Sequence, residues 1–223
     1  VIGTALRVAG KDLRIEARTG EVLVTTGVFA VLVAVMASVS FYVDSQRARE
    51  LAPGVLWISV AFAGILAMGR TWAREREHDA FRGLMLAPVP RAGLWLGKAL
   101  GSLAFLLVVE AILAPLVALL FHVEAWKVAG PLALLLGLGT VGFVAAGTTF
   151  AAMTVRTRAR ELVLSIVLFP LTSPALVAGV VGTREVLLGG GVEDLVAWSR
   201  ILLAFDVVFV AGGLALAEPL LED

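Results

Sequence analysis

The sequence predicts an all-α, polytopic membrane protein with six transmembrane helices, an N-terminal interfacial amphipathic helix and a short cytoplasmic helix between the second and third spans. Three observations carry that prediction. Sixty per cent of the 223 residues are hydrophobic and only 16% charged, whereas a soluble globular domain is about 45–50% apolar and about 25% charged. The apolar residues are gathered into runs long enough to cross a bilayer, which takes about 20 residues per helix. The basic residues between those runs are divided unequally.

The spans are taken at residues 22–43, 51–70, 97–121, 130–154, 162–183 and 200–218, making one transmembrane domain over 1–223. Four of the runs behind them hold no charge: Val22 to Val43, Leu51 to Gly69, Val128 to Val155 and Leu162 to Thr183. Ala99 to Val123 carries Glu110 and His122, and Ile201 to Ala217 carries Asp206. Six spans put both termini on one side. The segments on that side hold thirteen of the eighteen Lys and Arg residues, so the positive-inside rule orients both ends to the cytoplasm.

Ahead of the first span, Arg7, Lys11, Arg14 and Arg18 recur at a 4-3-4 spacing, on one helical face, with Leu6, Leu13 and Ala17 on a neighbouring stripe. That pattern predicts an amphipathic helix along the cytoplasmic membrane surface. The segment is too polar for a secretory signal.

Several function classes are excluded or disfavoured. Net charge is zero, so no overall basic field favours nucleic acid. Without cysteine there is no disulfide or thiolate metal site. No G-x-x-x-x-G-K-[ST] loop occurs, so the chain does not bind ATP by that device. "GLGTVG", Gly137 to Gly142, matches the dinucleotide pattern but lies inside an uncharged run. Gly139, Gly142 and Ala146 instead share a face on which small residues let membrane helices approach closely. His78 and His122 fall on opposite sides of the membrane and cannot share a metal. The chain reads as a membrane subunit without a catalytic site of its own.

One island breaks the apolar pattern: "TWAREREHDAFRGLMLAPVPR", Thr71 to Arg91. Phe81, Leu84 and Met85 stand at i, i+3 and i+4, one face of a short helix. Asp79 is placed to cap its start, and Pro88 and Pro90 end it. With Arg74, Glu75 and Glu77 at its flank, such a helix suits a groove on another protein. A solvated positive-inside loop would explain the arginines but not the apolar face or the paired prolines.

Glu110 and Asp206 are the two intramembrane acids. A charge at mid-bilayer costs about 2.5–3.5 kcal/mol on the translocon scale, so such residues are functional by default. Structural roles compete. Glu110 could bond a carbonyl freed by Pro115, and Asp206, placed near the outer end of span six, could cap or pair with Arg200.

"REREHDAFRGLMLAPVPRAGLWLGKAL", "VRTRARELVLSIVLFPLTSPALVAG" and "WSRILLAFDVVFVAGGLALAEPLLED" resemble, in turn, the charged loop, the connection between spans four and five, and the C-terminal signature of the heme exporter protein B (CcmB) family. "EPLLED" departs from the family by lacking an aromatic beside its first acid. The resemblance implies an ABC-2-type permease fold and a membrane subunit of the ABC-type complex of cytochrome c maturation, in the bacterial inner membrane. It implies an ABC ATPase subunit that holds the ATP, a tryptophan-rich haem-handling membrane subunit and a periplasmic haem chaperone. A second copy of the chain or another subunit would supply the second membrane half. Haem is then a transported or handled substrate and not a cofactor of this chain, with His122 an axial-ligand candidate. Arg74, Glu75, Glu77, Asp79, Phe81, Leu84 and Met85 become the ATPase-coupling element. The alternatives are an ABC-2-type permease for lipid, polysaccharide or drug, and a non-transporting membrane scaffold.

Overall fold

The computed structural model describes residues 1–40, 45–77, 89–154 and 160–222, without the side chains of 45–46, 71–77, 160–165 and 221–222. The described residues form seven α-helices and one 3-10 turn, with no strand among them. The helices are α1 (Ile2–Thr19), α2 (Glu21–Ser40), α3 (Ser45–Glu77), α4 (Arg91–Leu120), α5 (Ala129–Thr154), α6 (Arg160–Leu187) and α7 (Val192–Glu222). The 3-10 turn, Ala125–Val128, leads into α5. Six of them, α2 to α7, are long and apolar enough to cross a membrane.

The corner from α1 into α2 is written in three residues. Gly20 takes the left-handed conformation at φ 60° that a side chain would disfavour, and its N–H donates to the Glu16 carbonyl. The Glu16 carboxylate then accepts the Leu23 N–H at 2.7 Å, satisfying an otherwise orphan donor in the first turn of α2.

Two helices are longer than their apolar runs. α3 begins at Ser45 and continues to Glu77, beyond the span expected to end at 70. The "RTWARERE" stretch is rich in Arg and Glu, both strong helix formers, so nothing stops the helix where the membrane does. α7 begins at Val192, eight residues before the expected span, with Glu193 and Asp194 in the first turn, where the helix dipole favours acids. This moves Asp206 from the expected outer end to the middle of its helix.

The helices alternate in direction, so contacts sort to two ends. The near end, which holds both termini, has Arg70 paired with Glu21 at 3.5 Å and Lys98 with Asp12 at 2.8 Å. The far end has Arg184 facing Glu50 at 3.7 Å. α5 is the central helix, touching α3, α4, α6 and α7, while α2 lies at the edge against α3 and α4.

Close approach in the interior rests on glycine, as membrane packing requires when oil cannot drive helices together. Trp57 of α3 is wedged between α5 and α6. A Cβ at Gly139 would sit 2.3 Å from its ring, and one at Gly179 would sit 2.5 Å away. Its indole N–H donates to the Thr183 hydroxyl at 2.9 Å. Trp95 of α4 repeats the device at the near end. It rests on Gly213 of α7 and donates to Thr149 at 3.1 Å. Both buried indoles therefore keep a hydrogen-bond acceptor, which an apolar interior demands.

Candidate functional site

The predicted coupling residues divide in two. Arg74, Glu75 and Glu77 lie on the last turns of α3, continuous with the second span and not in a loop. Asp79, Phe81, Leu84 and Met85 lie outside the described residues. On the far side of the island, Pro90 is extended (φ −63°, ψ 127°) and caps α4, its carbonyl accepting the Gly93 and Leu94 N–H groups. The island therefore leaves from the end of one spanning helix and returns within a residue of the start of the next.

That start is where α1 docks. Gly93, Gly97 and Gly101 recur every four residues on α4 and form a strip without side chains. A Cβ at Gly97 would come within 2.6 Å of Val8 and 2.8 Å of the Ala5 carbonyl, so α1 lies nearly backbone to backbone on α4. Ala5 and Ala9 are buried in the contact, while Leu6 and Leu13 stay exposed on the stripe expected to face lipid. The Lys98 ammonium, 3% exposed, reaches across to the Asp12 carboxylate at 2.8 Å. Asp12 is partly exposed and also lies 3.3 Å from Lys11, so this part-buried pair contributes less than a fully buried one would. The glycine strip and this pair together fix α1 to the helix that follows the island.

The acids of the spans behave differently from one another. Glu110, 4% exposed on α4, accepts a hydrogen bond from the Thr140 hydroxyl of α5. Its partner is thus a side chain on the neighbouring helix and not the backbone carbonyl freed by Pro115. Asp206 packs against Gly142, where a Cβ would meet its Oδ1 at 2.4 Å. That Oδ1 is buried without a hydrogen-bond partner. Arg200 is exposed, and no ion pair joins it to Asp206 among the described residues. The Arg200 pairing, one of the structural roles open to Asp206, is not made, because Asp206 faces α5.

Between α4 and α5 the far half of the bundle opens into a groove of about 690 Å³. Leu107, Ala111, Ala114 and Ala118 form one wall, at successive turns of α4, and Leu132 and Leu136 of α5 form the other. Glu110 lies at the inner end. His122, Glu124 and Trp126 stand at the mouth. Glu110 and Leu120 are ten residues apart, so the α4 wall is about 15 Å long. His122 has φ 53°, a left-handed conformation at which histidine is tolerated better than most residues. Glu124 is held below the ordinary carboxylate range, first by a hydrogen bond from Lys127, whose ammonium also lies 5.4 Å from the Trp126 ring centre. No group of three or more metal-ligating side chains occurs among the described residues.

The CcmB protein family model matches residues 4–220, which take in the α1 dock, all six spanning helices and the groove. The chain belongs to the CcmB family. It is 29% identical to heme exporter protein B of Paracoccus denitrificans over 179 residues, covering 78% of this chain and 80% of the relative. With heme exporter protein B of Rhodobacter capsulatus it shares 28% over 204 residues, 90% and 91% of the two chains. The Pseudomonas aeruginosa protein of the same name is 28% identical over 169 residues, 76% of this chain and 75% of the relative. The family is thus shared over nearly the whole length.

Sequence reasoning named Glu110 and Asp206 but missed what they touch. Thr140 lies 30 residues from Glu110 and carries no local signal. Asp12 is one acid in a basic helix, and nothing in its local sequence points to Lys98, 86 residues away. The strip at 93, 97 and 101 was the legible clue, since small residues at every fourth position mark a close helix contact.

Proposed function

We propose that the chain is the permease subunit of an ABC-type complex that exports or delivers haem to a periplasmic chaperone for c-type cytochrome biogenesis. The observation that carries this reading is membership of the CcmB family across residues 4–220, in a chain with six helices able to span the membrane. The complex sits in the inner membrane with both termini of this subunit in the cytoplasm. ATP is bound and hydrolysed by a separate subunit, and a tryptophan-rich membrane subunit handles haem beside this one.

In this reading the near end is the input. Arg74, Glu75 and Glu77 continue α3 out of the membrane, and Asp79, Phe81, Leu84 and Met85 offer the ATPase an apolar ridge with charged flanks. Motion at the island reaches α3 directly, and reaches α4 at Pro90. Because α1 is pinned to α4 by the glycine strip and the Asp12–Lys98 pair, it moves with α4 as one body. The test is to purify the complex from cells that carry a tagged copy of this chain. The ATPase, the haem-handling subunit and haem should come down together, and the ATPase should be lost when 78–88 is replaced by a Gly/Ser linker.

A further inference from the structure

We infer that the groove between α4 and α5 holds haem during export, with the His122 imidazole as iron ligand at its mouth; this rests on the haem-export reading above. Four features of the groove converge on that ligand. Its volume, about 690 Å³, lies within the range of about 300–1,000 Å³ typical of ligand sites. Its α4 wall carries alanines at 111, 114 and 118 among Leu107, Pro115 and Leu119, which leaves an apolar slot. An apolar slot of this size suits the haem macrocycle.

The mouth supplies the rest. Imidazole nitrogen is a common haem ligand, and His122 lies on the rim, exposed, with no hydrogen bond or ion pair to its ring among the described residues. It is held there by a left-handed backbone at φ 53° immediately after α4 ends. Lys127 lies over the exposed Trp126 and is paired with Glu124, so the rim is polar where a haem edge would emerge into water. Glu110, already engaged by Thr140, lines the inner end of the slot. Haem would enter from the bilayer side and leave at the mouth. The groove is a holding site on the outer half of the route.

Haem titration of the purified full-length chain in lipid nanodiscs, followed in the Soret band, tests this. The wild type should bind with the spectrum of an imidazole-ligated iron. His122→Ala should weaken binding at least tenfold and shift the band, and added imidazole should restore the ligated spectrum. Ala111→Trp fills the slot from an exposed position that the fold does not depend on. It should weaken binding equally and resist imidazole rescue. Identical spectra and affinity in all three proteins would mean that haem merely partitions into the lipid, and would overturn the site. The same variants in the assembled complex separate the two readings. Normal haem delivery by both variants sinks the groove and leaves the export function standing. No delivery by the wild-type complex sinks the export function itself.

Discussion

Glu110 and Thr140 show how one buried acid is made tolerable. A carboxyl in the bilayer is costly unless something bonds it, and here a hydroxyl from the next helix does so. Thr140→Val should therefore destabilise the chain by about 1–3 kcal/mol, the usual cost of a buried polar group left without its partner. Glu110→Leu with Thr140→Val should recover much of that loss, since replacing both partners leaves nothing unsatisfied. Unfolding of the four proteins in a denaturant series, read as a double-mutant cycle, measures the coupling. Function separates the two roles of Glu110. If the residue is structural, Glu110→Gln should assemble and export haem normally, because an amide still accepts the Thr140 hydroxyl. Loss of export with assembly intact would give the Glu110 carboxyl a role in transport beyond structure. Gly142 sets a stricter limit: a methyl there would meet Asp206 and Phe205 at 2.4 and 2.5 Å. Gly142→Ala should push α5 and α7 apart and lower thermal stability measurably.

At the scale of the element, the α1–α4 clamp and the charged island are the parts to break. Lys98→Met removes the cross-helix partner of Asp12, which keeps its neighbour Lys11 on α1, and should loosen α1, seen as new protease cleavage between residues 2 and 19. Exchanging the two charges (Asp12→Lys with Lys98→Asp) should restore part of the protection, which a purely steric role for Lys98 would not allow. On the island, Phe81→Ala should weaken ATPase association by about thirtyfold, the loss of about 2 kcal/mol that truncating a central aromatic anchor brings. Membrane abundance should stay normal. Pull-down of the ATPase beside a membrane blot reads both, and full association in the variant would return the island to an ordinary solvated loop. The elements themselves were largely legible. Four spans are uncharged runs, and α1 followed from Arg7, Lys11, Arg14 and Arg18 at helical spacing. The ends were less so, because hydropathy marks where a helix leaves the membrane and not where it stops. Arg and Glu carry α3 on to Glu77, and Glu193 and Asp194 start α7 early. The groove was not legible at all. His122 was visible as a lone histidine, but only the packing of α4 beside α5 sets it at the rim of an apolar slot.

For the whole molecule, alternation of the six spanning helices puts both termini at one end with Asp12, Glu21, Arg70 and Lys98. The thirteen-to-five division of basic residues is the ground on which we propose that this end is the cytoplasmic one. A reporter fused after Asp223 should be active only in a form that works in the cytoplasm, and activity confined to the periplasm would invert the molecule. In the proposed orientation, the near end would take motion from the ATPase and the groove would open on the side to which haem is delivered. The most direct measurement of this account is ATP-dependent haem delivery by the reconstituted complex, with and without this chain. The account predicts that haem reaches the acceptor chaperone only when ATP and this chain are both present, and that a nonhydrolysable analogue stops it. Equal delivery without the chain, or delivery indifferent to ATP, would contradict it.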